Sequence, residues 1–278
     1  MRISTVRSVL EYEVRTPSHF CLHVQAARCE SQSLLSEELS VSPDVALREE
    51  VDARTGNRFI HLDASPGSLV VSYKADVELH ARAVGNELAE VPVTQLPGDV
   101  FPYLLPSRYC ESDALCAAAQ RIFGNVPCGI ERVRAIARWI HENVRYQPGS
   151  SNVTTSARDV FVNRAGVCRD FAHLGISFCR ALNIPARIVV GYVWFDQPPQ
   201  DFHAAFEAWV GGRWVMFDPT GMAPPERLVR VGCGFDAVDV AFATYFGDVE
   251  LARMEVSVLE HEAREAAQTQ AVFEMAAA

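Results

Sequence analysis

Three side chains of this 278-residue chain have the types and spacing for nucleophilic attack on a carbonyl. Cys168 stands in NRAGVCRDFAHLG, residues 163–175, just after a turn glycine and just ahead of a helical pattern. The first turn of a helix carries unpaired N–H groups and the positive end of the helix dipole, and both favour an anion. A thiolate is such an anion, and helix N-termini are where cysteine thiols ionise readily. The same N–H groups can hold the oxyanion of a tetrahedral intermediate. Cys168 also falls on the apolar stripe of its helix, so position alone leaves a packing role open. Cys179, three turns later on that stripe, reads as a packing residue.

His203 and Asp218 supply the base and its partner. Gly211-Gly212 predicts a two-residue hairpin turn that pairs Val210 with Arg213 and Trp209 with Trp214. Carried outward, that register sets Asp218 opposite Ala205 and His203 opposite Thr220, on one face of the sheet. The two are then diagonal neighbours, about 7–8 Å apart at the backbone and closer at the side chains. A bulge would move the register by one residue and separate them. Taken singly, His203 could simply begin a strand, and Asp218 before Pro219 could start a turn.

Other assignments fit less well. His173 is five residues past Cys168 and points about 140° away around a helix. His141 flanks an apolar stripe and reads as structural. Asp170 sits in the first helical turn, where it favours the dipole and could tune the site. Trp209 and Trp214 read as a cross-strand pair in the core. Cys168, His203 and Asp218 are metal-ligand types too, but without local spacing they make a weak zinc signal. No metal, cofactor or EF-hand calcium loop is expected.

The elements that must position these residues follow from periodicity. The first hundred residues read as strands. Phe20, Leu22, Val24 and Ala26 alternate onto one face, and Ser65-Pro-Gly-Ser68 predicts a hairpin between Arg58–Ala64 and Leu69–Leu79. Pro92 to Pro106 reads as a linker. A helix starts at Ser112-Asp113 and stops at Gly124. A second carries Val133, Ile136, Ala137, Ile140 and Val144 on one stripe, and a short turn lies near Ser156–Phe161. From Cys168 the stripe is Phe171, Leu174, Phe178, Cys179 and Leu182, ending at Asn183 and Pro185. Ala186–Tyr192 reads as a buried strand, and Val249–Val258 as one more. The tail from Glu260 reads as a helix or a frayed end.

Composition narrows the function classes. A formal net charge of −10 argues against a basic nucleic-acid patch. No run approaches the roughly 20 apolar residues that span a bilayer, and the first residues lack a signal peptide's apolar core. We therefore expect a cytoplasmic protein without nucleic-acid or membrane partners. The eight cysteines include no CxxC pair, which signals neither a zinc knuckle nor a redox dithiol.

GVCRDFAHLGISFCRALNIPARIVVGY followed by FHAAFEAWVGGRWVMFDPTG resembles the transglutaminase-like superfamily, and most of all its bacterial members described as cysteine proteases. The resemblance covers roughly residues 105–222. It implies an α+β fold with a papain-like or transglutaminase-like core, in which a helix bearing the cysteine packs on an antiparallel sheet bearing the histidine and the acid. It implies a catalytic triad of Cys168, His203 and Asp218. The expected organisation is a small antiparallel β domain over 1–98, the catalytic core over 99–258 and a tail over 259–278. The implied reaction is thiol-dependent acyl transfer on a peptide or protein amide through a thioester, with hydrolysis favoured over transamidation. A binding or scaffold module that has lost its chemistry is the alternative. Ala205 stands where the family commonly has Trp after His-Ala, and Arg169 where it often has Gln. The side-chain oxyanion donor and the oligomeric state stay unassigned.

Overall fold

Apolar residues recur with period two through the first 80 positions. In the computed structural model, which describes residues 2–80, 85 and 87–262, they build two facing sheets. The strands are β1 (Arg2–Val14), β2 (Ser18–Leu22), β3 (Gln32–Ser42), β4 (Arg48–Val51), β5 (Arg58–Ala64) and β6 (Gly67–Leu79). One sheet contains β1, β6 and β3, the other β2, β5 and β4. Leu10, Tyr12, Val71 and Tyr73 from the first sheet meet Phe20, Ile60 and Leu62 from the second in one buried cluster.

The hairpin predicted at residues 65–68 is corrected by this topology. The turn carries the chain from one sheet to the other. β5 pairs with β2 and β4, while β6 pairs with β1 and β3. Strand length explains the choice. β6 has 13 residues and finds a 13-residue partner in β1, whereas β5 has seven. Pairing β5 with β6 would leave nearly half of β6 without ladder hydrogen bonds.

The next segment is helical: α1 (Ser112–Phe123), α2 (Ile130–Asn143) and α3 (Ala157–Asn163), with β7 (Arg145–Tyr146) between α2 and α3. β8 (Ala165–Gly166) pairs parallel with β7 and leads directly into α4 (Cys168–Ala181). Four strands follow: β9 (Ala186–Tyr192), β10 (Phe202–Val210), β11 (Arg213–Phe217) and β12 (Val229–Gly234). They form an antiparallel sheet in the order β11-β10-β9-β12. The chain is thus α+β, with a helix-on-sheet unit preceded by a β region.

α4 departs from the expected one-sided stripe. Every residue from Asp170 to Arg180 is buried, because α1, α2 and α3 cover one side of the helix and β9 and β10 the other. The approach to the sheet is close. A Cβ on Gly175 would lie 2.6 Å from the Phe206 ring. The segment predicted as a linker contains short 3-10 turns at Val93–Gln95 and Phe101–Leu104. Its Tyr103 is buried and stacks on Phe235 at 4.6 Å between centroids.

The C-terminal strands return to the beginning of the chain. β13 (Ala243–Phe246) pairs with β2, and β14 (Val249–Glu262) pairs with β1 along its whole length. Residues 243–258 therefore lie in the N-terminal sheets rather than with the 99–258 unit expected from sequence. The tail expected from residue 259 is strand as far as Glu262, and its remainder is outside the described residues. β14 satisfies the edge of β1, which would otherwise present a row of unpaired N–H and C=O groups. The two halves are also joined through β9 and β12, since Tyr192, Val229 and Val231 belong to the sandwich cluster. The Tyr192 hydroxyl donates to the Val24 carbonyl at 2.6 Å.

The tight seat of α4 gives a stability prediction. Gly175→Leu forces a side chain into the Phe206 ring, and overpacking of this kind costs roughly 1–3 kcal/mol. Urea denaturation should show that loss. Unchanged stability would mean that α4 does not depend on this approach.

Candidate active site

Cys168 is the first residue of α4, and its turn is held by a buried carboxylate. Asp170 is 0% exposed, and its Oδ2 accepts the Val167 backbone N–H at 2.9 Å. The carboxylate thereby closes one of the orphan donors at the helix entry and adds charge that the dipole favours. Gly166 leaves the space for it, since a Cβ there would meet Asp170 Cβ at 2.8 Å. Asp170 is therefore a positioning residue for Cys168, a stronger role than its place in the first turn suggested. Arg169 turns outward. Its Nη2 donates to Ser151 Oγ at 2.7 Å and to the Asn152 carbonyl at 2.9 Å, fastening the loop before α3 to the mouth of α4.

The hairpin has the register expected from Gly211-Gly212: Val210 with Arg213, Trp209 with Trp214, and on to Phe206 with Phe217. Both glycines have positive φ, 60° and 72°, as the turn requires. Asp218 lies one residue beyond β11, and its Oδ2 meets His203 Nε2 at 3.0 Å. Both side chains are almost wholly buried, at 2% and 3% exposure. Burial disfavours the imidazolium, but bonding to Asp218 and Cys168 and their charges raise His203 to about 10. Burial likewise opposes the Asp218 charge, yet His203 and Thr220 hold its carboxyl below the usual range. With Nε2 engaged by the acid, Nδ1 is the ring nitrogen left to serve the thiol. The sequence-derived residues are thus neighbours: Cys168 interacts with the His203 ring, and the ring is held by Asp218.

A second layer fixes the acid. Asp218 Oδ1 accepts from Thr220 N at 2.9 Å and from Thr220 Oγ1 at 2.7 Å. The Thr220 carbonyl in turn accepts from His141 Nδ1 at 3.2 Å. His141 is structural, as its place beside an apolar stripe suggested, but the structure it supports is the acid's loop. Gly221, at φ 68°, passes so near that a Cβ would meet the His141 ring at 2.9 Å.

His173 is separate from this centre. Its Nε2 accepts the Ala237 N–H at 3.1 Å and its ring stacks on Tyr109 at 5.2 Å, while burial pushes it down to about 3. Cys110 and Cys179 are buried thiols pushed up by desolvation, which suits packing residues. Tyr146 is the residue that motif reading missed. It lies on β7, half-buried, and its phenol interacts with both the backbone and the thiol of Cys168. Burial first, and then the neighbouring Cys168 and Asp201, push the phenol up. The signal was the Arg145-Tyr146 step after the second helix, which carries no chemistry until β7 pairs with β8.

Comparison with known proteins identifies the fold. Residues 117–219 match the family model of the transglutaminase-like superfamily, and residues 1–99 match the bacterial transglutaminase N-terminal domain. The chain is similar to the crystal structure of a "Putative Cysteine Protease" from Cytophaga hutchinsonii. Sequence identity there is 41%, the TM-score is 0.88, and the match covers 94% of this chain and 91% of that one. The uncharacterized protein ML0607 of Mycobacterium leprae is 34% identical over 149 residues, 50% of this chain and 52% of that protein. Rv2569c of Mycobacterium tuberculosis is 34% identical over 125 residues, 40% of each chain. The chain thus spans about half or less of the length of the curated relatives it matches. A full-length structural likeness, two matching family models and a helix-borne cysteine beside a histidine–acid pair lead to one conclusion: the chain belongs to the transglutaminase-like superfamily.

Proposed function

We propose that this protein is a thiol-dependent acyl-transfer enzyme that acts on a peptide or protein amide, with Cys168 as nucleophile, His203 as acid–base and Asp218 as its orienting acid. The observation that carries the reading is the His203 ring, bound at Nε2 by a buried carboxylate at 3.0 Å and interacting with Cys168. In a Cys–His–acid arrangement the acid sets the tautomer, and the imidazolium stabilises the thiolate.

In this mechanism Cys168 sulfur bonds to the amide carbon, and the carbonyl π electrons move onto oxygen. The Cys168 N–H at the start of α4 and the Tyr146 hydroxyl are the donors proposed for that oxyanion. Collapse breaks the C–N bond as the His203 imidazolium gives its proton to the leaving amine. A thioester remains. Neutral His203 then takes a proton from water, the hydroxide oxygen bonds to the acyl carbon, and the thiolate leaves as the carboxylic acid product forms. An amine in place of water gives transamidation by the same steps. Hydrolysis is the favoured branch, because water needs no second binding site.

Three outcomes test this reading. Cys168→Ala should abolish turnover of an amide or activated ester substrate while thermal melting stays unchanged, and intact protein should trap an acyl group on Cys168 by mass. Turnover retained by Cys168→Ala would exclude the mechanism. Tyr146→Phe should lower kcat by about 10²–10³ if the phenol serves the oxyanion. A loss confined to KM would remove Tyr146 from that role.

The third outcome concerns pH. His203 is raised to about 10, so its proton contributes stability below its ordinary value near 6.5. That contribution is lost as pH rises through about 10. Alkylation of Cys168 by iodoacetamide, or turnover, should lose its ion-pair character on that alkaline limb. Asp218→Asn removes the charge that supports the imidazolium and should move the limb acidward by about 1–3 pH units. A limb that stays in place would mean that Asp218 does not govern His203.

A further inference from the structure

The face of the β9–β12 sheet turned away from α4 holds a groove that the acyl-transfer reading leaves unused. In β10, Ala204, Phe206, Ala208 and Val210 belong to the cluster around α4, so Glu207 and Trp209 alternate to the opposite face. There they line a cavity of about 990 Å³ with Arg187, Trp214, Met216 and Arg230. This volume lies at the upper end of small-molecule sites, about 300–1,000 Å³. The expectation that Trp209 and Trp214 form core is corrected here. They make a T-shaped pair at 5.2 Å, but both are half-buried and wall the groove.

The floor has a surplus of positive charge. Glu207 is 4% exposed and receives both arginines: Arg187 Nε bonds its Oε2 at 2.7 Å, and Arg230 bonds both of its oxygens. Burial opposes the Glu207 charge, but Arg230 and Arg187 hold its carboxyl down to about 2. One carboxylate therefore faces two guanidinium groups, so this buried set carries one net positive charge. Around it the rim carries Arg134, which pairs with Glu131 at 2.6 Å, and Arg213 with Glu30 and Glu226. Two N–H donors in this array, Arg230 Nε and Trp209 Nε1, have no hydrogen-bond partner in the protein. The Arg187 guanidinium lies 4.2 Å over the Trp214 ring, so cation and aromatic wall are one surface.

We propose that this groove binds a small organic carboxylate with a flat aromatic body. The surplus of a single charge matches a carboxylate, whereas a phosphate monoester brings about 1.5–2 negative charges at neutral pH. Guanidinium groups meet carboxylates as planar forks, and the two tryptophans with Met216 offer the apolar walls for a ring. The ligand would rest against the back of the β10–β11 hairpin, whose far ends carry His203 and Asp218.

Calorimetric titration of the full chain at pH 7 with 3-phenylpropionate, and with its uncharged amide 3-phenylpropionamide, tests this. The carboxylate should bind at least tenfold more tightly than the amide. Met216→Glu, which adds a negative charge to a half-buried wall position, should weaken the carboxylate at least tenfold, and Trp214→Ala should weaken it as well. Cys168→Ala should bind the carboxylate as the unaltered chain does. Equal binding of carboxylate and amide, indifference to Met216→Glu and Trp214→Ala, or loss of binding in Cys168→Ala would each overturn the proposal, the last by moving the ligand to the triad.

Discussion

The bond from the Val167 N–H to the wholly buried carboxylate of Asp170 fixes where the chain turns into α4, and with it where Cys168 can be. A helix entry normally leaves its first N–H groups to solvent or to a capping side chain. Val167 has no side-chain acceptor, so the cap comes from within the helix, from Asp170 reaching back. Gly166 makes room for that reach, and the pairing of β8 with β7 brings Tyr146 to the same point. A bulkier residue at 166 or an apolar one at 170 would disturb the nucleophile before it touched any other part of the site.

The rest of the structure makes that turn rigid. α4 is buried on every side, by three helices and by two strands, and Gly175 lets it settle onto the Phe206 ring. β9 and β10 are therefore fixed relative to the cysteine. His203 pairs with Gly191 in β9, beside Tyr192, which is anchored into the N-terminal sandwich through the Val24 carbonyl. The imidazole is thus held between two cores, one from each half of the chain. Asp218 depends on the hairpin register and on a loop tied by Thr220 and His141.

Two sets of charged groups lie along one hairpin. His203 and Asp218 form a buried pair at one end of the β10–β11 hairpin, and Arg187, Glu207 and Arg230 form a buried array on the face away from α4. Each is costly to desolvate, and each is compensated by hydrogen bonds at close range. The hairpin links them, since His203 and Glu207 stand four residues apart in β10 and alternate to the same side of the strand.

How much of this was legible in the residues depended on how local the determinant was. Cys168 at a helix start, the Gly211-Gly212 turn and the resulting approach of His203 to Asp218 were readable, because capping, positive φ and strand alternation act over a few positions. The buried strand 186–192 and the helices near 112–123 and 130–143 were readable for the same reason. What the residues alone did not carry was any pairing between distant segments. The 65–68 turn looks like a hairpin locally, but the long partner that β1 offers to β6 decides otherwise. β14 completes the first sheet from more than 200 residues away. Tyr146 reaches the cysteine only through a two-residue parallel pairing, and Trp209 and Trp214 wall a groove rather than fill a core. The sequence by itself determined the chemical groups and their local geometry, since those follow from backbone preference and period. The tertiary structure alone decided which remote strands pair, which faces stay open and which second residues support the site, since these depend on competition among partners for the same hydrogen bonds and buried surface.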